Sequence, residues 1–261
     1  MADVLLKESI EGVAVLTLNR PDRLNAWTVA MENAYFDALD DCAADPEIRV
    51  IVVTGAGRGF CAGADMQGLQ DLGDGKVDER EAVARRPQTT PLGIPKPIIA
   101  AINGPCAGIG LVQALMCDLR FAAAGAKLTT AFARRGLVAE HGISWLLPRL
   151  VGQAHALDLL LSGRVVLGDE AAAMGLVNRA VPGDGVLDET LAYARDLAQN
   201  CSPASMAEMK RQVYRHVDSE LDAALQESNV LMLASFGRPD FAEGVQSFVE
   251  RRAPEFAPLS A

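Results

Sequence analysis

Histidine and aromatic side chains are scarce in this chain. Three histidines and 5% aromatic residues occur in 261 positions. His141, His155 and His216 stand far apart and beside no cysteine pair, so the usual zinc-ligand spacings are missing and no metal is expected. No GxSxG elbow is found, which argues against a serine hydrolase. Five cysteines (Cys42, Cys61, Cys106, Cys117 and Cys201) make an odd number without a CxxC pair. That pattern predicts reduced thiols acting as small apolar residues in the cytoplasm, not a disulfide framework. Basic charge is also in deficit: 24 Lys and Arg against 34 Asp and Glu give a formal charge of −10. Neither nucleic acid nor an anionic membrane is an expected partner for such a surface. Charges or turn residues interrupt every apolar run before it reaches the ~20 residues of a membrane span. The opening Met1-Ala2-Asp3-Val4 lacks the basic-then-apolar layout of a signal peptide.

What the chain does have is glycine placed after apolar strands. Residues Pro97 to Ile102 read as a strand, Asn103-Gly104-Pro105 as a turn, and the run to Cys117 as an apolar helix. A helix start leaves backbone N–H groups without internal partners and carries positive potential. Glycines 104, 108 and 110 are expected to let a ligand approach that backbone. Such a place suits negative charge developing on an oxygen. A second segment, Gly55 to Met66, follows the strand Ile48 to Thr54. Its Gly57, Gly59 and Ala62 imitate a dinucleotide fingerprint, but glycines at 63, 68, 73 and 75 interrupt the long helix that such a motif should open.

Together these two segments resemble the signatures of the crotonase superfamily, also called the enoyl-CoA hydratase/isomerase family. Phe60-Cys61-Ala62-Gly63-Ala64-Asp65-Met66 is similar to the first, and Asn103-Gly104 through Met116-Cys117-Asp118 to the second. Leu18 to Ala26, Leu161-Ser162-Gly163-Arg164 and the Ala172 to Val177 region extend the resemblance along nearly the whole chain. It implies an α/β spiral of ββα units over residues 1–185, followed by a helical trimerisation region over 186–261. It also implies an acyl-CoA substrate whose thioester oxygen meets the backbone N–H groups of Ala64 and Ile109. Coenzyme A, as part of the substrate and not as a resident cofactor, is then expected against Arg23, Leu24, Ala62, Ala64, Asp65, Met66, Gly108 and Ile109. Assembly as a homotrimer or a dimer of trimers follows from the same resemblance.

The residues that should carry protons depart from the family pattern. A hydratase of this kind uses two glutamates, and alignment puts them at Val112 and Phe132, neither of which can hold a proton. One acid remains nearby: Glu140, in Gly136-Leu137-Val138-Ala139-Glu140-His141-Gly142. Its position resembles that of the catalytic aspartate in dienoyl-CoA isomerases and in the chlorobenzoyl-CoA dehalogenase. Apolar neighbours Leu137, Val138, Ile143 and Trp145 are expected to desolvate its carboxylate and suit it to base work. The alternative is a helix cap, bonded to the N–H groups of the helix that begins near Ile143 or paired with Arg134 or Arg135. His141 could orient Glu140, move a proton, or face solvent. Val112, Phe132 and Glu140 are the expected acyl-pocket lining, and Asp65 is read as a residue that stabilises the turn at Ala64. These readings lead to enolate chemistry on an enoyl-CoA, isomerisation or hydration. Hydrolysis of the acyl-CoA, or binding without turnover, stands as the alternative.

Elsewhere the pattern predicts strands at Val4 to Lys7, Val13 to Leu18 and Leu119 to Ala122. Helices are expected at Thr28 to Ala43 and Gly142 to Leu161, then at Val186 to Gln199, Ala204 to His216, Ser219 to Phe236 and Pro239 to Arg251. Asp218 or Ser219 is the expected cap of the third of the last four, and Leu221, Ala224, Leu225, Leu231 and Met232 its buried side. The segment Leu72 to Gly93 reads as a loop over the acyl pocket. Its Arg80, Arg85 and Arg86 are expected to face solvent or to meet CoA phosphates.

Overall fold

A hairpin opens the chain: β1 (Leu5–Ile10) pairs antiparallel with β2 (Val13–Leu18). Its two turn residues, Glu11 and Gly12, both hold positive φ, the conformation that matches the twist of a tight hairpin. The computed structural model describes residues 3–76 and 85–259. From β2 the chain crosses through α1 (Val29–Ala44) to β3 (Val50–Gly55), and Thr28 caps α1 by accepting from the Met31 N–H. Next come α2 (Met66–Gly73), the short α3 (Thr90–Gly93) and β4 (Ile98–Ile102). β5 (Cys106–Ala107), α4 (Ile109–Met116), β6 (Leu119–Ala123) and β7 (Lys127–Thr129) follow. After these stand α5 (Ile143–Ser162), β8 (Val166–Leu167), α6 (Gly168–Ala173) and β9 (Arg179–Val181). The chain closes on α7 (Val186–Asn200), α8 (Pro203–His216), α9 (Leu221–Ser235) and α10 (Pro239–Glu250).

Six strands form one sheet in the order β1-β2-β3-β4-β6-β9, parallel from β2 onward. The central strands are almost wholly apolar because both sheet faces are covered. Leu16, Ile51, Val53, Ile98 and Ala100 point into the main core with α1, α4 and α5. Their alternating partners Val13, Val15, Val50, Val52, Ile99 and Ala101 pack against Ala194 and Ala198 of α7. A second sheet, β5-β7-β8, lies beyond the carboxyl ends of β3 and β4. An isolated bridge between Cys61 and Cys106 ties the two post-strand segments together. Ligand sites of parallel α/β sheets form at such strand ends.

Four details differ from the sequence expectation. β1 runs three residues further than Lys7, carried by hairpin pairing with β2 and not by its own exposed pattern. The Leu72 to Gly93 segment is entered by α2 and closed by α3, while Arg80 lies outside the described residues. α9 starts at Leu221 with Glu220 at its cap and no side-chain cap bond; Asp218 pairs with Arg149 at 3.0 Å and Ser219 Oγ donates to Arg215 O at 3.2 Å instead. No residue of α9 is fully buried within this chain: Ala224 and Leu231 of its expected inner side are half-buried, while Leu221, Leu225 and Met232 are exposed.

The helix before it is held differently. Lys210 of α8 donates to Asp118 Oδ2 at 2.8 Å, and Tyr214 donates to Asp118 Oδ1 at 3.0 Å. Asp118 also accepts from the Ile98 N–H at 2.7 Å, so α8 is bound to the sheet of its own chain.

Candidate functional site

Two backbone segments meet because small residues let them. A Cβ at Gly110 would stand 2.8 Å from Cys61 Sγ and 2.7 Å from Cys61 Cβ. One at Gly104 would collide with the carbonyl oxygen of Arg58. These glycines therefore serve the approach of the chain to itself, not the approach of a ligand. Gly108 differs: its φ of +51° and open surroundings set the turn into α4. Ala107 N–H donates to the Cys61 carbonyl at 2.9 Å, which fixes the register of the two segments.

That register exposes two N–H groups. Trp27 N–H donates to Gly63 O at 2.8 Å and Asp65 N–H donates to Trp27 O at 3.0 Å. In such a parallel bridge the intervening residue, Ala64, turns its own N–H to the opposite side. Ile109 is the first residue of α4, where helix N–H groups have no internal acceptor. Among the described residues neither N–H has a backbone acceptor. Leu24, at positive φ, accepts from the Ala62 N–H at 3.0 Å and lies over Gly59. Leu24, Ala62, Ala64, Gly108 and Ile109 are thus brought together. Arg23 is exposed on the neighbouring turn and Met66 on the first turn of α2.

Asp65 has the turn role expected of it. Its Oδ1 accepts from the Gln67 N–H at 3.2 Å and caps α2, while Oδ2 pairs with Arg20 at 2.9 Å. Buried Asn25 supports the same loop by donating to the carbonyls of Ala56 and Gly59.

Val112 and Phe132 are buried in the main core together with Ile109 and Ile143. Glu140 lies on the turn before α5 with a third of its side chain exposed. Its surroundings differ from the apolar enclosure expected: Leu137, Trp145 and above all Val138, 76% exposed, face outward. Neither is it a helix cap. Gly142 occupies the cap of α5 without a side-chain bond, Arg134 donates to Ser162 O, and Arg135 donates to Ala131 O. The titratable side chain beside it is His141, with Nε2 at 3.5 Å from Glu140 Oε2. Burial holds the His141 imidazole below its ordinary range, against the opposing pull of Glu140 and Glu32. His141 is therefore neutral at neutral pH and can donate one N–H.

The cysteines near the site are inert. Burial pushes Cys61 up to about 11 and Cys117 up to about 12, so neither is a thiolate at neutral pH. Arg85 and Arg86 are committed to carboxylates of α1: Arg86 to Asp37 and Asp40, and Arg85 to Glu32 at 3.6 Å. Both keep about a third of their side chains exposed, so these pairs lie at the surface.

Sequence reasoning missed a buried polar chain. Trp27 Nε1 and Gln88 Nε2 donate to Glu32 Oε2 at 3.2 and 2.7 Å, and Gln113 Nε2 donates to Gln88 Oε1 at 2.6 Å. Glu32 and Gln113 sit in helices whose apolar pattern marks them as interior, and a polar residue on that interior face was the signal available.

A model of the enoyl-CoA hydratase/isomerase family matches residues 8–258. The chain belongs to this family. It is 39% identical over 256 residues to a "Probable enoyl-CoA hydratase" of Rhodobacter capsulatus, covering 95% of this chain and 96% of that one. To the 1,2-epoxyphenylacetyl-CoA isomerase of Escherichia coli it is 34% identical, covering 98% and 99% of the two chains. The crystal structure of a probable enoyl-CoA hydratase/isomerase from Mycobacterium abscessus superposes with a TM-score of 0.90 at 32% identity. That match covers 98% of this chain and 99% of the other. The protein is an enzyme of the hydratase/isomerase family with the crotonase fold.

Proposed function

We propose that this enzyme holds an acyl-CoA thioester with its carbonyl oxygen between the N–H groups of Ala64 and Ile109, and that it shifts a double bond in an enoyl-CoA. The observation that carries this reading is the pair of unpaired N–H groups presented from two segments that Gly104, Gly110 and the Cys61–Cys106 bridge lock together. Donors fixed before the substrate arrives cost no reorganisation when negative charge develops on the thioester oxygen. An enolate so stabilised makes the α-proton removable by a carboxylate.

Proton balance favours isomerisation over water addition. Addition of water needs one group to activate the water and another to manage the proton at carbon. Val112 and Phe132 occupy the positions of that pair, and neither titrates. A double-bond shift needs only one carboxylate, which takes the α-proton and returns it to the γ-carbon, so no proton is gained or lost. Glu140 is the acid available for this, with the neutral His141 N–H able to orient its carboxylate. Arg23, Leu24, Ala62, Asp65, Met66 and Gly108 complete the CoA-facing side, and Val112, Phe132 and Glu140 the acyl side.

The same reading assigns residues 1–185 to the catalytic spiral and puts the surface for assembly as a trimer or a dimer of trimers within 186–261, on α9 and α10 and not on α7 and α8, which pack on their own sheet. The exposed apolar faces of α9 and α10 support it, since exposed apolar area of that extent marks an interaction surface.

The test is turnover of 3-enoyl-CoA and 2-enoyl-CoA esters by the wild-type enzyme and by Glu140→Gln. Isomerisation should fall by roughly 10²-fold or more in the variant, with ester affinity little changed because binding rests on backbone contacts. Water addition that survives Glu140→Gln, or hydrolysis of the thioester, would replace this proposal. Binding of esters without turnover would leave a carrier protein in its place.

A further inference from the structure

The polar chain of buried Glu32, half-buried Gln88 and buried Gln113 has a direction, and the direction has a consequence for substrate choice. Glu32 is 3% exposed and its carboxylate, when ionised, only accepts hydrogen bonds. Gln88 must therefore turn its NH2 toward Glu32, which leaves Gln88 Oε1 to face Gln113. Gln113 must in turn present its own NH2 to Gln88. The charge at Glu32 thus sets the orientation of both amides. It leaves Gln113 Oε1 as an acceptor that, among the described residues, has no partner although Gln113 is buried. A buried acceptor left alone costs about 1–3 kcal/mol, so a donor that reaches it is favoured.

The position of Gln113 indicates where that donor comes from. Ile109, Val112, Gln113 and Met116 share one face of α4 by their i, i+3, i+4 and i+7 spacing. At one end of this face is the Ile109 N–H. At the other end Met116, together with Thr89, borders Gly142 of the turn that carries Glu140. Glu32 and Arg85 also act electrostatically on His141 of that turn. Along the axis of α4, Gln113 therefore comes between Ile109 and Met116, roughly 6 Å from Ile109 at ~1.5 Å per residue. That is further than the two carbons next to the thioester reach.

We propose that Gln113 is the specificity-determining residue of the acyl pocket, held in register by Glu32 through Gln88, and that the preferred substrate is an acyl-CoA carrying a hydroxyl on its acyl chain beyond the reacting carbons. The hydroxyl donates to Gln113 Oε1. The inference rests on the acyl-CoA reading above and adds the substrate class.

Titration calorimetry with hexanoyl-CoA and with its counterparts bearing a hydroxyl on the fourth, fifth or sixth carbon tests it. Wild-type enzyme should bind at least one hydroxylated ester about tenfold more tightly than the plain ester. Gln113→Leu should bring the ratio of the two affinities to about one, and Glu32→Gln should reduce it by freeing the Gln88 amide to turn. Gln113→Met serves the same purpose if leucine is not tolerated, and the wild-type comparison needs no variant. Equal binding of plain and hydroxylated esters, or a preference that survives both Gln113 variants, overturns the inference and leaves the acyl-CoA reading standing. Failure of every ester to bind defeats the acyl-CoA reading itself, and the inference with it.

Discussion

Glu140 and His141 show how far a residue's neighbours in sequence differ from its neighbours in space. Leu137, Val138 and Trp145 promise an apolar enclosure, yet within one chain they turn outward and leave the carboxylate a third exposed. The imidazole beside it is held low by burial. Between that lowered value and the ordinary histidine value of about 6.5, the unfolded chain binds more protons than the folded one. Stability therefore rises with pH through this window, and the contribution is lost as pH falls through it. His141→Asn should flatten the slope of thermal midpoint against pH there. A slope unchanged by the substitution would place the titration on another group. The backbone adds a second demand at this residue, because His141 and Gly142 both hold positive φ. Asparagine tolerates that conformation better than most side chains, so the variant isolates the imidazole.

At the scale of elements, the two strand–turn–helix segments act as a single unit. Their contact depends on Gly104 and Gly110, and their loops on Asn25, which donates to Ala56 O and Gly59 O at 3.0 and 2.8 Å. Gly110→Ala places a methyl group on Cys61 and must push α4 away from the first segment. The expected cost is about 1–3 kcal/mol of stability, read as a lower thermal midpoint. A larger loss is expected in turnover than in ester solubilisation or folding yield, because Ile109 sits one residue away and its N–H is displaced. Retention of full activity by Gly110→Ala would show that the two N–H groups need no such lock. α7 gives the complementary lesson. Its sequence groups it with the C-terminal helices, but Ala194 and Ala198 close the outer face of the sheet against Val13, Val50 and Ile99.

At the scale of the whole molecule, the outward faces of α9 and α10 leave a run of apolar side chains uncovered in a single chain. Leu221 is 80% exposed and Phe248 84%, and Val230, Leu233, Val245 and Val249 lie exposed with them. α8, by contrast, is bound to its own sheet through Lys210 and Asp118 and is not free to exchange. Light scattering should therefore give a mass of three or six chains of 27.7 kDa. The double variant Leu221→Asp, Phe248→Asp should shift that mass toward one chain, since a charge buried in an apolar interface is costly. A wild-type monomer at micromolar concentration would contradict the assembly proposed.

Much of this protein was legible in its sequence, and the reason is physical. Apolar runs of strand length followed by glycine, and apolar residues at helical spacing, act locally, so β2, β6, α1, α5 and the C-terminal helices appear near their expected bounds. The two segments that resemble the family signatures were readable for the same reason. What only the tertiary structure decided are relations between segments distant in the chain. Gly104 and Gly110 accommodate the chain's own backbone, Arg85 and Arg86 pair with acids of α1 some fifty residues earlier, and α7 belongs against the sheet. The orientation of Gln113 is set by Glu32 through Gln88, across α1, the turn before α3, and α4. No local pattern encodes such a chain of hydrogen bonds, because its direction follows from one buried charge whose partners are fixed only when the core closes.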